Sequence, residues 1–487
     1  MSSKKRRSGK SKGPRQGISG NPHRRAEQMA QRQAAGANGA DPTPLVMDFR
    51  SQQSPFQELA RALAGGADPA PWWSESHERI LDAARAVAWP VRLIDLETRA
   101  CQIVGDEFYE RLNAAATGLH PSQWLRSLAE ETGAALRADL GAGANSWQPL
   151  WALLRALALT VPPGDTESDT VRLDRERFPD IKDPYETTIA EAGLAAKLLA
   201  DRGLASGGGN PADGWRPAGE PLVARDAYGS RFLLAAPFCY GEDEGQEAPD
   251  HWYAWDIDEC WIDVVVSAGV FGSAADALRE WRDAVGAAAS GTTLSPSPPE
   301  TTARLLAPCL ETGPLSELLQ GSEPRELIRE YYRLRRRARD LVGAIGSPDA
   351  DADEAPFDAD SVLAAFLSWY AARSGDAPAV EPEDAGTILQ EWGPPRPSDE
   401  RSFYACSPHR IQMTARLIRD GYLAEHANAA LRLLPRWTQW CIEQDGLDGE
   451  LAARSRGAAL TEAAALVDEE TAERNAEPDD GPFRRQE

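Results

Sequence analysis

The chain has 487 residues, with 76 Asp and Glu against 52 Lys and Arg, for a formal net charge of -24. That length allows about two to four domains, and that acidity excludes a body whose general surface binds nucleic acid or anionic membrane. Six scattered cysteines with no C-x-x-C pair fit free thiols in a reducing compartment, and the apolar runs are too short or too interrupted for a membrane span. The expectation is a cytoplasmic protein with no targeting segment, no membrane partner and no implied cofactor.

The charge is unevenly spread. Residues 1–36 hold ten Lys or Arg and a single acid, Glu27, for a net of +9, and the remainder carries 42 bases and 75 acids. Four of the six lysines (Lys4, Lys5, Lys10 and Lys12) fall in the first twelve residues, whereas arginines run throughout. With Arg6, Arg7, Arg15, Arg24 and Arg25 they form a cationic arm, the candidate site for an anionic partner. Residues 1–53 are Gly, Pro, Ser, Gln and charge with few large apolar side chains, a composition that predicts disorder.

Beyond the arm the predicted elements are mostly helical. A helical domain is expected over 54–205, opened by the capping grammar of "SPFQELARAL" and containing "WWSESHERILDAARAVAW", "PSQWLRSLAEETGAAL" and the nearly all-apolar "LWALLRALALTV". The last of these reads as the central buried helix. "ASGGGNPADG" (205–214) reads as a linker. The period then changes: "PLVARD", "SRFLLAAPFCY", "HWYAWDID" and "CWIDVVVSAGVF" predict four antiparallel strands, followed by a helix capped by Ser273, over 215–286. A helical region with an arginine-rich helix follows at 301–346, then the acidic linker "SPDADADEAPFDAD", then a C-terminal helical module at 361–475. The expected fold class is therefore mainly α with a small α+β part.

Three stretches, "VARDAYGSRFLLAAPF", "FGSAADALREWRDAVG" and "SPHRIQMTARLIRDGYLAEHANAALRLLPRWTQWC", resemble segments of actinobacterial cytosolic proteins to which no activity is attached. The resemblance implies the cytoplasm and carries no chemistry.

Each motif has a plain structural reading beside the functional one. Gly9-Lys10-Ser11 ends like a phosphate-binding loop, but Lys4 stands where the first glycine belongs and no strand precedes it. "GGGNPA" (207–212) has the same defect as a dinucleotide fingerprint. "DADADEAPFDAD" (349–360) has calcium-loop oxygens, with Glu354 where the sharp turn needs glycine. Cys406, His409, His426 and Cys441 offer zinc ligands in a plausible order, but the second pair is too widely spaced. Asp256 and Asp258 are two apart on a strand and share a face, so they could hold a divalent metal or act as acid and base; the plain reading is a solvated strand face. Arg329, Arg333, Arg336 and Arg337 share a helical face, a secondary basic face whose plain reading is pairing with neighbouring carboxylates.

The sequence thus points to a non-enzymatic binding or adaptor protein, its arm tethering an acidic body to RNA, ribosome, DNA or an acidic protein surface. The alternative is an enzyme with a carboxylate site around Asp256 and Asp258.

Overall fold

In the computed structural model the described residues are 72–113, 121–162, 184–204, 214–241, 249–260, 264–310, 324–346, 358–374, 380–393 and 400–466. The basic arm, the helix start at 54, the glycine linker and most of the acidic linker lie outside them. The described residues are mostly helical, with a small antiparallel sheet. No described helix is long and apolar enough to cross a membrane.

Five helices lead: α1 (Trp72–Ala86), α2 (Leu93–Asn113), α3 (Pro121–Gly141), α4 (Trp147–Thr160) and α5 (Pro184–Asp201). Helix α4 is buried on nearly every side, with Leu150, Leu153, Leu154 and Leu157 all but inaccessible, as its all-round apolar sequence demands.

The sheet comprises β1 (Trp215–Pro217), β2 (Leu222–Arg225), β3 (Arg231–Tyr240), β4 (His251–Asp258), β5 (Val264–Phe271) and the two-residue β6 (Ser295–Pro296). Its order is β5-β4-β3-β2-β6, and β1 also pairs with β3. The four strands read from the sequence are β2 to β5. The short β1 and β6 have no counterpart in the sequence pattern, because three- and two-residue strands carry no measurable alternation. Strand β3 is apolar from Phe232 to Cys239 because both its faces are covered. Phe232, Leu234, Ala236 and Phe238 face the N-terminal helices, while Leu233 and Ala235 face helix α6 (Ala274–Val285). Ser273 caps α6 as expected, its hydroxyl accepting from the Asp276 amide at 3.1 Å.

After α7 (Pro299–Leu310), the arginine-rich helix α8 (Pro324–Ile345) runs between the N-terminal helices and the sheet. Tyr253 donates to Glu330 at 2.9 Å and Trp255 to the Leu334 carbonyl at 3.3 Å, which fixes α8 to β4. One hydrophobic cluster runs through residues of 73–199, 215–265 and 305–341. The segments expected as separate units at 54–205, 215–286 and 301–346 therefore share a core, because α8 needs a partner on each side.

The C-terminal helices are α9 (Ala359–Ser374), α10 (Pro382–Trp392), α11 (Pro408–Gly421), α12 (Ala424–Asp445) and α13 (Gly449–Ala464). They build a second core around Phe366, Trp392, Phe403, Trp437 and Trp440. This cluster is separate from the first. The two bodies meet where the start of β3 and the end of β4 approach the start of α11 and the middle of α13.

Candidate functional site

The meeting place encloses a cavity of about 240 Å³. Its walls come from the β2–β3 turn (Asp226, Tyr228, Ser230), the first residue of β3 (Arg231), the last residue of β4 (Asp258) and the turn after it (Cys260), the start of α11 (Ser407, His409, Gln412) and α13 (Arg454). Local grammar builds each wall. The "DAYG" turn closes with the Gly229 amide on the Asp226 carbonyl at 3.0 Å, and Gly229 takes the positive φ of 74° that the turn requires. Asp226 Oδ1 then accepts the Ser230 and Arg231 amides at 2.9 and 3.0 Å. Burial pushes its pKa up to about 6. Across the cavity, Ser407 caps α11 by accepting the Arg410 amide at 3.2 Å, and Pro408 occupies the first turn. The buried Arg410 side chain ties this corner together by donating to the carbonyls of Ser402 and Trp392 at 2.6 and 2.7 Å.

Three potential ligand atoms converge here. The donor atoms of Asp258, Cys260 and His409 all lie within 4.8 Å of one another. His409 Nδ1 is 3.1 Å from Asp258 Oδ2, and the Cys260 amide donates to Asp258 Oδ1 at 2.8 Å. Cys260 Sγ is 3.1 Å from Ser407 Oγ. Asp258 and Cys260 are buried, whereas the His409 side chain keeps 26% of its exposure and so reaches solvent. Burial and the adjacent Asp258 push the Cys260 thiol well above its usual range, which makes the free thiol a poor nucleophile.

The sequence-derived candidates separate sharply here. Asp256 and Asp258 do share a strand face, but that face is not solvated, since α6 and the C-terminal helices cover it. Asp256 is taken by Arg231 (Nε–Oδ1 2.8 Å, Nη2–Oδ2 2.6 Å) and accepts the Trp281 indole N–H at 3.0 Å. It is a structural ion pair beside the cavity rather than the second half of a carboxylate dyad. Of the proposed zinc quartet, Cys406 and Cys441 are core residues and His426 lies beside Glu425 at the surface. Only His409 reaches a ligand cluster, and its partners come from the sheet. Cys260, which the sequence reading passed over, becomes relevant only through the turn after β4. The D-x-C spacing was the one local signal.

The arginine face is turned inward. Arg337 donates to both oxygens of Glu97 at 3.0 and 2.8 Å and lies over the rings of Trp215 and Phe238, each 5.2 Å away. Arg333 pairs with Glu330 at 2.7 Å, and Arg336 with Asp340 at 2.9 Å. Arg329 clamps Asp106 at 2.7 and 3.0 Å. Arg333, Arg336 and Arg337 are buried, so these three offer no open surface to an anion. The residues of the calcium-like loop up to 357, the two glycine motifs and the arm lie outside the described residues. Asp358 caps α9 by accepting the Ser361 amide at 3.0 Å.

Comparison with protein-family models, with curated proteins and with solved structures finds no match for this chain. The function must therefore be argued from its own residues.

Proposed function

We propose that this is a non-enzymatic tethering protein, an acidic folded body held to an anionic partner by its basic arm. The observation that carries the reading is the separation of charge. Residues 1–36 have a net charge of +9. The densest cationic run of the body is engaged with Glu97, Glu330 and Asp340. Lys4, Lys5, Arg6, Arg7, Lys10, Lys12, Arg15, Arg24 and Arg25 are then the concentrated cation of the chain. RNA, ribosome or DNA supplies counter-charge most densely, and neutralising phosphates releases condensed counterions. An acidic protein surface, a second copy of this body included, fits the same charges.

The test is binding of the full chain, and of a chain lacking residues 1–36, to a labelled single-stranded RNA at two salt concentrations. About six phosphate contacts should cost the full chain about 300-fold in affinity for a single strand between about 50 and 200 mM salt. The deletion should abolish binding and leave the thermal transition unchanged. Retention of the same salt-sensitive binding in the deletion refutes the arm as tether. Binding that persists after nuclease treatment of a cell extract assigns it to a protein surface instead.

The alternative reading, an enzyme with a carboxylate or metal site on the sheet, retains Asp258 and loses Asp256 to its ion pair with Arg231. The observation that favours it is the convergence of Asp258, Cys260 and His409.

A further inference from the structure

We propose that Asp258, Cys260 and His409 form a binding site for a divalent transition metal ion, Zn²⁺ by preference, that bridges the sheet-bearing body and the C-terminal helices. The inference rests on this cluster and not on the arm, so either can fail alone.

Four observations carry it. First, one sulfur, one imidazole and one carboxylate converge from chain positions up to 151 residues apart. A thiolate and an imidazole beside a single carboxylate select zinc-like ions over Mg²⁺ or Ca²⁺, which prefer oxygen throughout. Second, the ligands are already oriented. The Cys260 amide holds Asp258 Oδ1, Ser407 Oγ lies 3.1 Å from Cys260 Sγ, and His409 sits in the capped first turn of α11. Such outer contacts fix ligand direction and tune affinity.

Third, charge balance favours a cation. Asp226, Asp256 and Asp258 gather around one buried cation, Arg231, while Arg454 at the cavity wall is paired with Glu450. An acidic surround of this kind accommodates a divalent ion. Fourth, all three ligands line the 240 Å³ cavity. Three protein ligands at a tetrahedral ion leave one position open, here toward a space that takes water or a small anion.

The consequence is mechanical as well as chemical. Asp258 ends β4, Cys260 lies in the turn two residues beyond it and His409 is in α11, so a bound ion cross-links the sheet-bearing body to the C-terminal helices, beside the apolar contact that Leu447 and Leu451 make with the sheet and α6. Metal binding is then linked to the stability of their junction.

The experiment uses the full chain, stripped with a chelator that is then removed, and titrated with Co²⁺ as a spectroscopic stand-in for Zn²⁺. The expected result is one saturable equivalent with a thiolate-to-cobalt charge-transfer band, displaced by Zn²⁺, and a Zn²⁺-dependent rise in the thermal midpoint. Cys260→Ser should remove the charge-transfer band, and His409→Ala should weaken binding by at least about 100-fold. His426→Ala, at an exposed histidine outside the cluster, should leave both unchanged. The arm has no cysteine, so it cannot supply the band. Circular dichroism of each variant separates loss of a ligand from loss of fold, and should a single variant unfold, Asp258→Asn replaces it. Absence of a saturable site, or a charge-transfer band that survives Cys260→Ser, overturns the proposal. Loss of RNA binding in the arm deletion with the cobalt spectrum intact separates the two functions.

Discussion

His251 is the residue whose protonation should cost the fold most. It lies on β4 with 2% of its surface exposed, stacked on Phe238 and edge-on to Trp215 at 4.5 Å between ring centroids. Neither ring nitrogen has a hydrogen-bond partner among the described residues. Burial above all, then Arg337 and Arg333 on α8, hold its pKa down at about 2, against an ordinary 6.5. Below about pH 6.5 the unfolded chain therefore binds a proton that the folded chain refuses, so stability is lost as the pH falls. The loss is about 1.4 kcal/mol per pH unit once well below 6.5, and about 2 kcal/mol between about pH 7.5 and pH 5. His251→Phe keeps an aromatic ring in the stack and removes the proton site. Urea unfolding, followed by tryptophan fluorescence, should show the variant gaining about 2 kcal/mol on the parent across that interval. A difference between variant and parent that does not change with pH refutes the argument, because it means the folded imidazole accepts its proton as readily as the unfolded one.

Two further outcomes follow from the packing. Asp256→Asn leaves the Arg231 guanidinium, 4% exposed, without its bidentate carboxylate, and should lower unfolding stability by about 3 kcal/mol or more, with much of that regained in an Asp256→Asn, Arg231→Met double variant. At the crossing of α2 and α8, a Cβ on Gly105 would lie 2.4 Å from Arg329 Cα. Gly105→Ala must push the two helices apart and should cost about 1–3 kcal/mol, read as a lower melting temperature.

Much of the secondary structure was written locally. Ser273 and Ser407 cap the helices they precede, the apolar sweep of 147–160 is a buried helix, and the runs at 222–225, 231–240, 251–258 and 264–271 are strands. These features depend on neighbours within a few positions, where hydrogen bonding and side-chain period act directly. The site was legible only in fragments. Asp258 and His409 each stood out, but with the wrong companions, and Cys260 did not stand out at all.

A period states which residues share a face and never what that face meets. Asp256 and Asp258 lie on one face, but α6 brings Trp281 to the first, and the start of α11 brings His409 to the second. The same holds for α8, whose Arg337 looks like a solvated cation until Glu97, 240 positions away, closes over it. Burial turns an exposed charge into a paired one and a plain thiol into a candidate ligand, and only the tertiary fold decides burial. The sequence by itself determined the helices, the main strands and the charge of the arm; the junction cavity exists only because two separately cored bodies dock there.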